Sequence, residues 1–114
     1  MIVMCTNLKP LPSTNVLPRN LRAAETWNAG GSAYDRISRQ YADAIEHCVD
    51  RLDPKPGQRI LDVATGTGRT ARRISNRGAF VTGIDFNGRM IRAANRRDRS
   101  ANIYFRVADA ESLP

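Results

Sequence analysis

Between Asp62 and Gly68 the chain reads Asp-Val-Ala-Thr-Gly-Thr-Gly, directly after the apolar pair Ile60-Leu61. Glycine carries no Cβ, so such a turn bends sharply and lets a ligand approach the backbone closely. A helix starting just behind it offers free N–H groups and a partial positive charge to an anionic group. Asp85 stands 17 residues beyond Gly68, at the end of a second apolar stretch. A carboxylate in that place can accept hydrogen bonds from both hydroxyls of a ribose. Gly66, Gly68 and Ala71 alone form only a loose G-x-G-x-x-A. Strand, glycine turn, helix, strand and terminal acid together point to an adenosine-type ligand.

Asp62 separates two classes of such ligand. In dinucleotide sites the strand before the glycines is normally wholly apolar, because a pyrophosphate lies over the turn. A carboxylate four residues before Gly66 would repel that pyrophosphate and suits a ligand bearing an ammonium group. S-adenosylmethionine has an ammonium, a sulfonium and a ribose, and no phosphate. Each acid also has a plainer alternative. Asp62 could pair with Arg69 at a strand end, and Asp85 could cap the next helix.

The elements that must position these residues are legible in part. Residues 1–20 hold Pro10, Pro12 and Pro18 without an apolar period, and residues 1–33 are expected to be an irregular arm. From Asp35 to Leu52 the positions Ile37, Tyr41, Ala44, Ile45, Cys48 and Leu52 recur at helical steps, which predicts an amphipathic helix stopped by Pro54-Lys55-Pro56-Gly57. Arg59–Ala64 reads as a strand apolar on both faces, as central parallel strands are. Arg69–Arg77 reads as a helix closed by Gly78, and Phe80–Asp85 as the next strand. Asn87 is expected to cap a helix that turns Met90, Ile91 and Ala94 inward, before a third strand at Asn102–Val107. The alternation predicts an α/β fold, a Rossmann-like three-layer sandwich on a parallel sheet with only its first three strands present.

Two right-handed crossovers moving the same way put both helices on one face of that sheet. Nothing obvious then covers the other face, and the first strand lacks its second neighbour. Such faces and edges are liabilities. The chain is therefore expected to be half of a larger domain or to be completed by something else. By itself it should associate through the exposed sheet edge.

The length of 114 residues allows one domain, and 41% apolar with 25% charged residues excludes collagen, low-complexity disorder and a disulfide scaffold. No apolar run approaches the roughly 20 residues of a membrane span. The start has no basic n-region of a secretory signal. Cys5 and Cys48 lie far apart, outside any C-x-x-C, and fit a reducing compartment, so a cytoplasmic location is expected. The net charge of +7 is local: residues 69–106 carry 10 Arg against Asp85 and Asp98. Such a block could attract nucleic acid, but no aromatic residues are interleaved for base stacking, and a solvated face is the favoured reading.

The motifs also carry a resemblance. ILDVATGTGRTA is similar to the first motif of the class I S-adenosylmethionine-dependent methyltransferases, and VTGIDFNGRMI to their second. VADAESLP resembles the third. The stretch from Ser32 to Gln58 resembles the helix leading into the domain in the quinone-biosynthesis subgroup. The likeness covers roughly residues 33–114, with residues 34–114 as the N-terminal, cofactor-binding half, ending before a fourth strand. It implies that Asp62 and the backbone of Ala64, Gly66 and Gly68 hold the methionine part of S-adenosyl-L-methionine. Asp85 would bind the ribose, and Phe86, with Met90 as a weaker candidate, would flank the adenine. Asp109 would accept from the adenine amino group, and the Ala110 N–H would reach the ring. Ala64 replaces the first glycine of the family's turn, which is harmless if φ there is negative. Asn87 stands where Ser or Thr is commoner and caps equally well.

The implied reaction is displacement at the sulfonium methyl, with the acceptor held in line by the enzyme. The acceptor is expected to be a small molecule. No catalytic residue and no metal ligand is assigned, since the family's acceptor-positioning residues follow its fourth strand. Tyr34 and Tyr41 could close over the cofactor, but packing is the favoured reading, and His47 and Cys48, adjacent on a helix, are read as structural. A non-catalytic cofactor-binding or interaction module, completed by a partner or by self-association, stays open. So do nucleic-acid binding through the arginine face and, more distantly, a dinucleotide oxidoreductase.

Overall fold

The computed structural model describes residues 2–5, 16–30 and 33–113. Strand β1 (Ile2–Cys5) comes first, and a 3-10 turn at Pro18–Asn20 leads into helix α1 (Leu21–Gly30). Helix α2 (Ala33–Ser38) and a 3-10 turn at Arg39–Tyr41 lead into α3 (Ala42–Leu52). There follow β2 (Arg59–Val63), α4 (Arg69–Ser75), β3 (Phe80–Asp85), α5 (Gly88–Arg97), β4 (Ile103–Val107) and a 3-10 turn at Ala110–Ser112.

β2, β3 and β4 are parallel neighbours in that order, with Asp62 beside Gly83 and Asp85 beside Val107. This is the expected α/β sheet. Ile60 to Val63 are all buried, because the strand is covered on both faces. On one face Ile60, Val81 and Phe105 pack with Val49 of α3, Ala71 and Ile74 of α4, and Ile91 and Ala94 of α5. The two crossover helices thus share a face, as handedness requires. Gly68 (φ +81°) opens α4, and Gly78 (φ +89°) follows its end. Asn87 caps α5, its Oδ1 accepting from the amides of Arg89 at 3.0 Å and Met90 at 3.3 Å.

Four expectations change. The arm is not irregular throughout: residues 18–30 are helical, because Pro18 is tolerated in a first turn and Leu-Arg-Ala-Ala-Glu supplies good helix formers. β1 pairs antiparallel with β2, Ile2 opposite Val63 and Cys5 opposite Ile60, so the edge expected to drive self-association is covered by the chain itself. The second face is not bare: Leu61, Val63 and Ile84 are buried there with Ala108, and Leu113 packs against them. The helix expected over 35–52 is broken by the turn at Arg39–Tyr41.

The arginines of α4 are engaged within the molecule. Arg73 donates to Glu46 at 2.6 Å, and Arg77 pairs with Glu46 and Asp50, which ties α4 to α3. Arg69 and Arg72 donate to the Ser38 and Thr67 carbonyls, both at 2.8 Å. No helix among the described residues is long and apolar enough to cross a membrane.

Candidate functional site

β2 and β3 deliver Asp62 and Asp85 at the same end of the sheet, and Asp109 follows β4 at that end. Parallel strands bring their C-terminal loops together, and ligands of open α/β sheets gather there.

Asp62 is wholly buried beneath the glycine turn. Its Oδ2 accepts from the Thr65 hydroxyl at 2.7 Å, while Oδ1 has no hydrogen-bond partner. Burial pushes its pKa up to about 6; the Thr65 hydroxyl pulls the other way, and the Asp85 charge adds a smaller upward push. The alternative pairing with Arg69 does not form, since Arg69 reaches Ser38 instead.

Asp85 staples the turn to the next helix. Its Oδ2 accepts the Gly66 amide at 2.9 Å and its Oδ1 the Asn87 amide at 2.8 Å. Burial raises its pKa, and those two amides oppose the rise. Each oxygen keeps acceptor capacity beyond these bonds.

The glycines divide their labour. A Cβ on Gly66 would meet open space, so the missing side chain leaves room for a ligand. A Cβ on Gly68 would strike the ring of Phe105, so that glycine serves packing. Ala64 adopts φ +58°, the left-handed region. The condition under which alanine there was harmless is not met.

Two cavities flank Ala64, Asp85 and Phe86. One, of about 220 Å³, is also lined by Asn20, Val63, Ile84, Ala108, Asp109, Ala110 and Glu111. The other, of about 250 Å³, is also lined by Trp27, Tyr34, Gly66, Asn87 and Met90. Of the cofactor candidates singled out from the sequence, Ala64, Gly66, Asp85, Phe86, Met90, Asp109 and Ala110 line these cavities. Asp62, beneath the turn, and Gly68, at its far end against Phe105, line neither.

Trp27 and Tyr34 meet edge to face, with ring centroids 5.8 Å apart. Sequence reading passed over Trp27 because it sits in a stretch taken as irregular; the run of helix formers from Leu21 was the signal. Asn20 was missed too. Its Nδ2 donates to Asp109 Oδ2 at 2.9 Å, and the Leu17 amide reaches the same oxygen at 3.0 Å. Asp109 Oδ1 accepts the Glu111 amide at 3.0 Å. Burial alone would raise the pKa of Asp109, but the donors from Asn20, Glu111 and Leu17, with the Arg19 charge, hold it below its usual value. Among the described residues no cluster of His, Cys, Asp or Glu could hold a metal ion.

Comparison with known proteins agrees with this architecture. Residues 60–114 match a family model described as "Methyltransferase domain". The chain is 41% identical over 96 residues to the demethylmenaquinone methyltransferase of Corynebacterium kroppenstedtii, covering 80% of this chain and 40% of that protein. It is 41% identical over 87 residues to the ubiquinone/menaquinone biosynthesis C-methyltransferase UbiE of Rhizobium leguminosarum, covering 68% of this chain and 33% of that protein. The chain therefore spans well under half the length of these relatives. Among solved structures, one from a complex containing the Haloferax volcanii Trm112 methyltransferase activator matches with a TM-score of 0.67. That match covers 80% of this chain and 41% of the other at 24% identity, a likeness of fold. By these matches residues 60–114 belong to the methyltransferase-domain family, and the relatives that share the aligned stretch at 41% identity are quinone-biosynthesis methyltransferases by name.

Proposed function

We propose that this chain forms the S-adenosylmethionine-holding part of an enzyme that methylates a small molecule, a quinone-type ring being the acceptor favoured by the names of its relatives. The observation that carries the reading is the buried Asp62 carboxylate, whose Oδ1 lacks a partner beneath a turn stapled by Asp85. An uncompensated buried carboxylate is costly, and a nearby ammonium relieves that cost. The donor set therefore suits a cationic amino acid moiety and not a pyrophosphate.

Bound S-adenosylmethionine supplies an electrophilic methyl group on a sulfonium. Asp62 compensates the ammonium charge through the turn, and the open Cα of Gly66 leaves room for the chain that carries it. Asp85 uses its remaining acceptor capacity for ribose hydroxyls. Phe86, in the wall shared by the two cavities, offers a ring face to the adenine, and Ala110 offers a backbone N–H. These groups bind and orient; none takes a proton from the acceptor.

Calorimetric titration of S-adenosylmethionine into the purified chain, beside Asp85→Ala, tests the reading. Binding that the substitution weakens more than about tenfold is expected, since a charge-accepting pair of hydrogen bonds is lost. A folded wild-type chain that takes up no cofactor would overturn it.

A further inference from the structure

The Asp109 carboxylate, which the family resemblance assigns to the adenine amino group, is already engaged by the chain's own N-terminal segment. Asp109 Oδ2 receives two N–H donors, the Leu17 amide at 3.0 Å and the Asn20 carboxamide at 2.9 Å. An sp² oxygen has two lone-pair directions, so this one is full. Arg19 fastens the same segment through a two-pronged contact with Glu111, at 2.8 and 2.6 Å. Asn20 also lines the cavity bounded by Asp85, Phe86, Asp109 and Ala110. A carboxamide presents an NH₂ donor beside a carbonyl acceptor, the same pattern as the amino group and ring nitrogen on one edge of adenine.

We propose that Leu17–Asn20 is an internal occupant of the adenine end of the cofactor site, with the Asn20 carboxamide standing where the adenine amino group must bind. The proposal rests on the cofactor reading above. Cofactor uptake then requires the strap to leave Asp109, and the apparent Kd is the intrinsic Kd divided by the fraction of molecules in which the strap is undocked. The segment precedes α1, which carries Trp27 of the second cavity. Release at the adenine end is thereby linked mechanically to the wall of the neighbouring cavity.

The test is a titration of S-adenosylhomocysteine followed through backbone-amide exchange, on wild type, Asn20→Ala and Leu17→Pro. Leu17 has φ −59°, which proline adopts without strain, so Leu17→Pro removes one donor without straining position 17. Ligand added to wild type is expected to protect the Gly66 and Asn87 amides and to deprotect that of Leu17. Each variant is expected to bind the ligand roughly fivefold more tightly, because one strap hydrogen bond no longer competes. Protection at Gly66 and Asn87 with Leu17 still protected, or variants that bind no tighter, overturns the strap and leaves the cofactor reading standing. Absence of protection in all three folded proteins overturns both.

Discussion

Ala64 occupies a conformation that costs an L-residue about 1–2 kcal/mol, at the first position of the turn where the family motif has glycine. Ala64→Gly relieves that strain and gives back about 0.4–1 kcal/mol in unfolded-chain entropy. The net expectation is a gain of about 0.5–1 kcal/mol, read as a raised urea midpoint at unchanged slope. Asp62 carries a larger tension. Its pKa rises from 3.8 to about 6 on folding, so the folded chain holds this proton more tightly than the unfolded chain. The group's favourable contribution is complete below about pH 4 and lost as pH climbs through about 6, a swing on the order of 2–3 kcal/mol. Asp62→Asn removes the titration. Denaturation midpoints across pH 4–8 should fall steeply for wild type and less steeply for the variant, in which Asp85 alone still loses its raised-pKa contribution, and the variant's affinity for S-adenosylmethionine should drop more than about tenfold. A parallel decline in both proteins would assign the pH dependence to another group.

At the level of elements, the site is held by packing between a strand and two glycines. A Cβ on Gly83 would come within 2.6 Å of Phe105 and 2.8 Å of the Thr65 hydroxyl, the same hydroxyl that serves Asp62. Gly83→Ala should therefore cost about 1–3 kcal/mol and weaken cofactor binding, and Phe105→Leu in the same chain should recover part of the loss. Equal and additive effects in the double-mutant cycle would separate the two residues. This dependence was invisible in the sequence, because it joins positions in neighbouring strands whose register no local pattern specifies. What was legible had local causes: the apolar runs of β2 and β3, the cap at Asn87, the stop at Gly78. Asp85 and the turn could be paired in advance because a parallel sheet leaves few places for a strand-end acid. The strap onto Asp109 crosses 92 positions of chain, and only tertiary structure brings Leu17 there. Trp27 was illegible for a different reason: its run of helix formers is short and follows three prolines, so no apolar period marks it.

For the whole molecule, β1 turns an open edge into an internal ladder. A chain lacking residues 1–5 should form concentration-dependent oligomers in sedimentation velocity, at concentrations where the full chain does not use that edge. If both behave alike, the ladder is dispensable for keeping the edge from other chains. The arginine block has a matching explanation at this scale. Ion pairs bind α4 to α3, and carbonyl contacts bind it to α2 and to its own turn, so four arginines of the block serve to fix α4 in place. The Phe105 ring has a consequence in time. A ribosome delivers the glycine turn first and the ring that wedges beneath Gly68 only 37 residues later. A growing chain thus displays the motif long before the motif has its final shape. The turn reaches its packed form only once β4 has been made, so its geometry depends on a strand the motif itself does not contain.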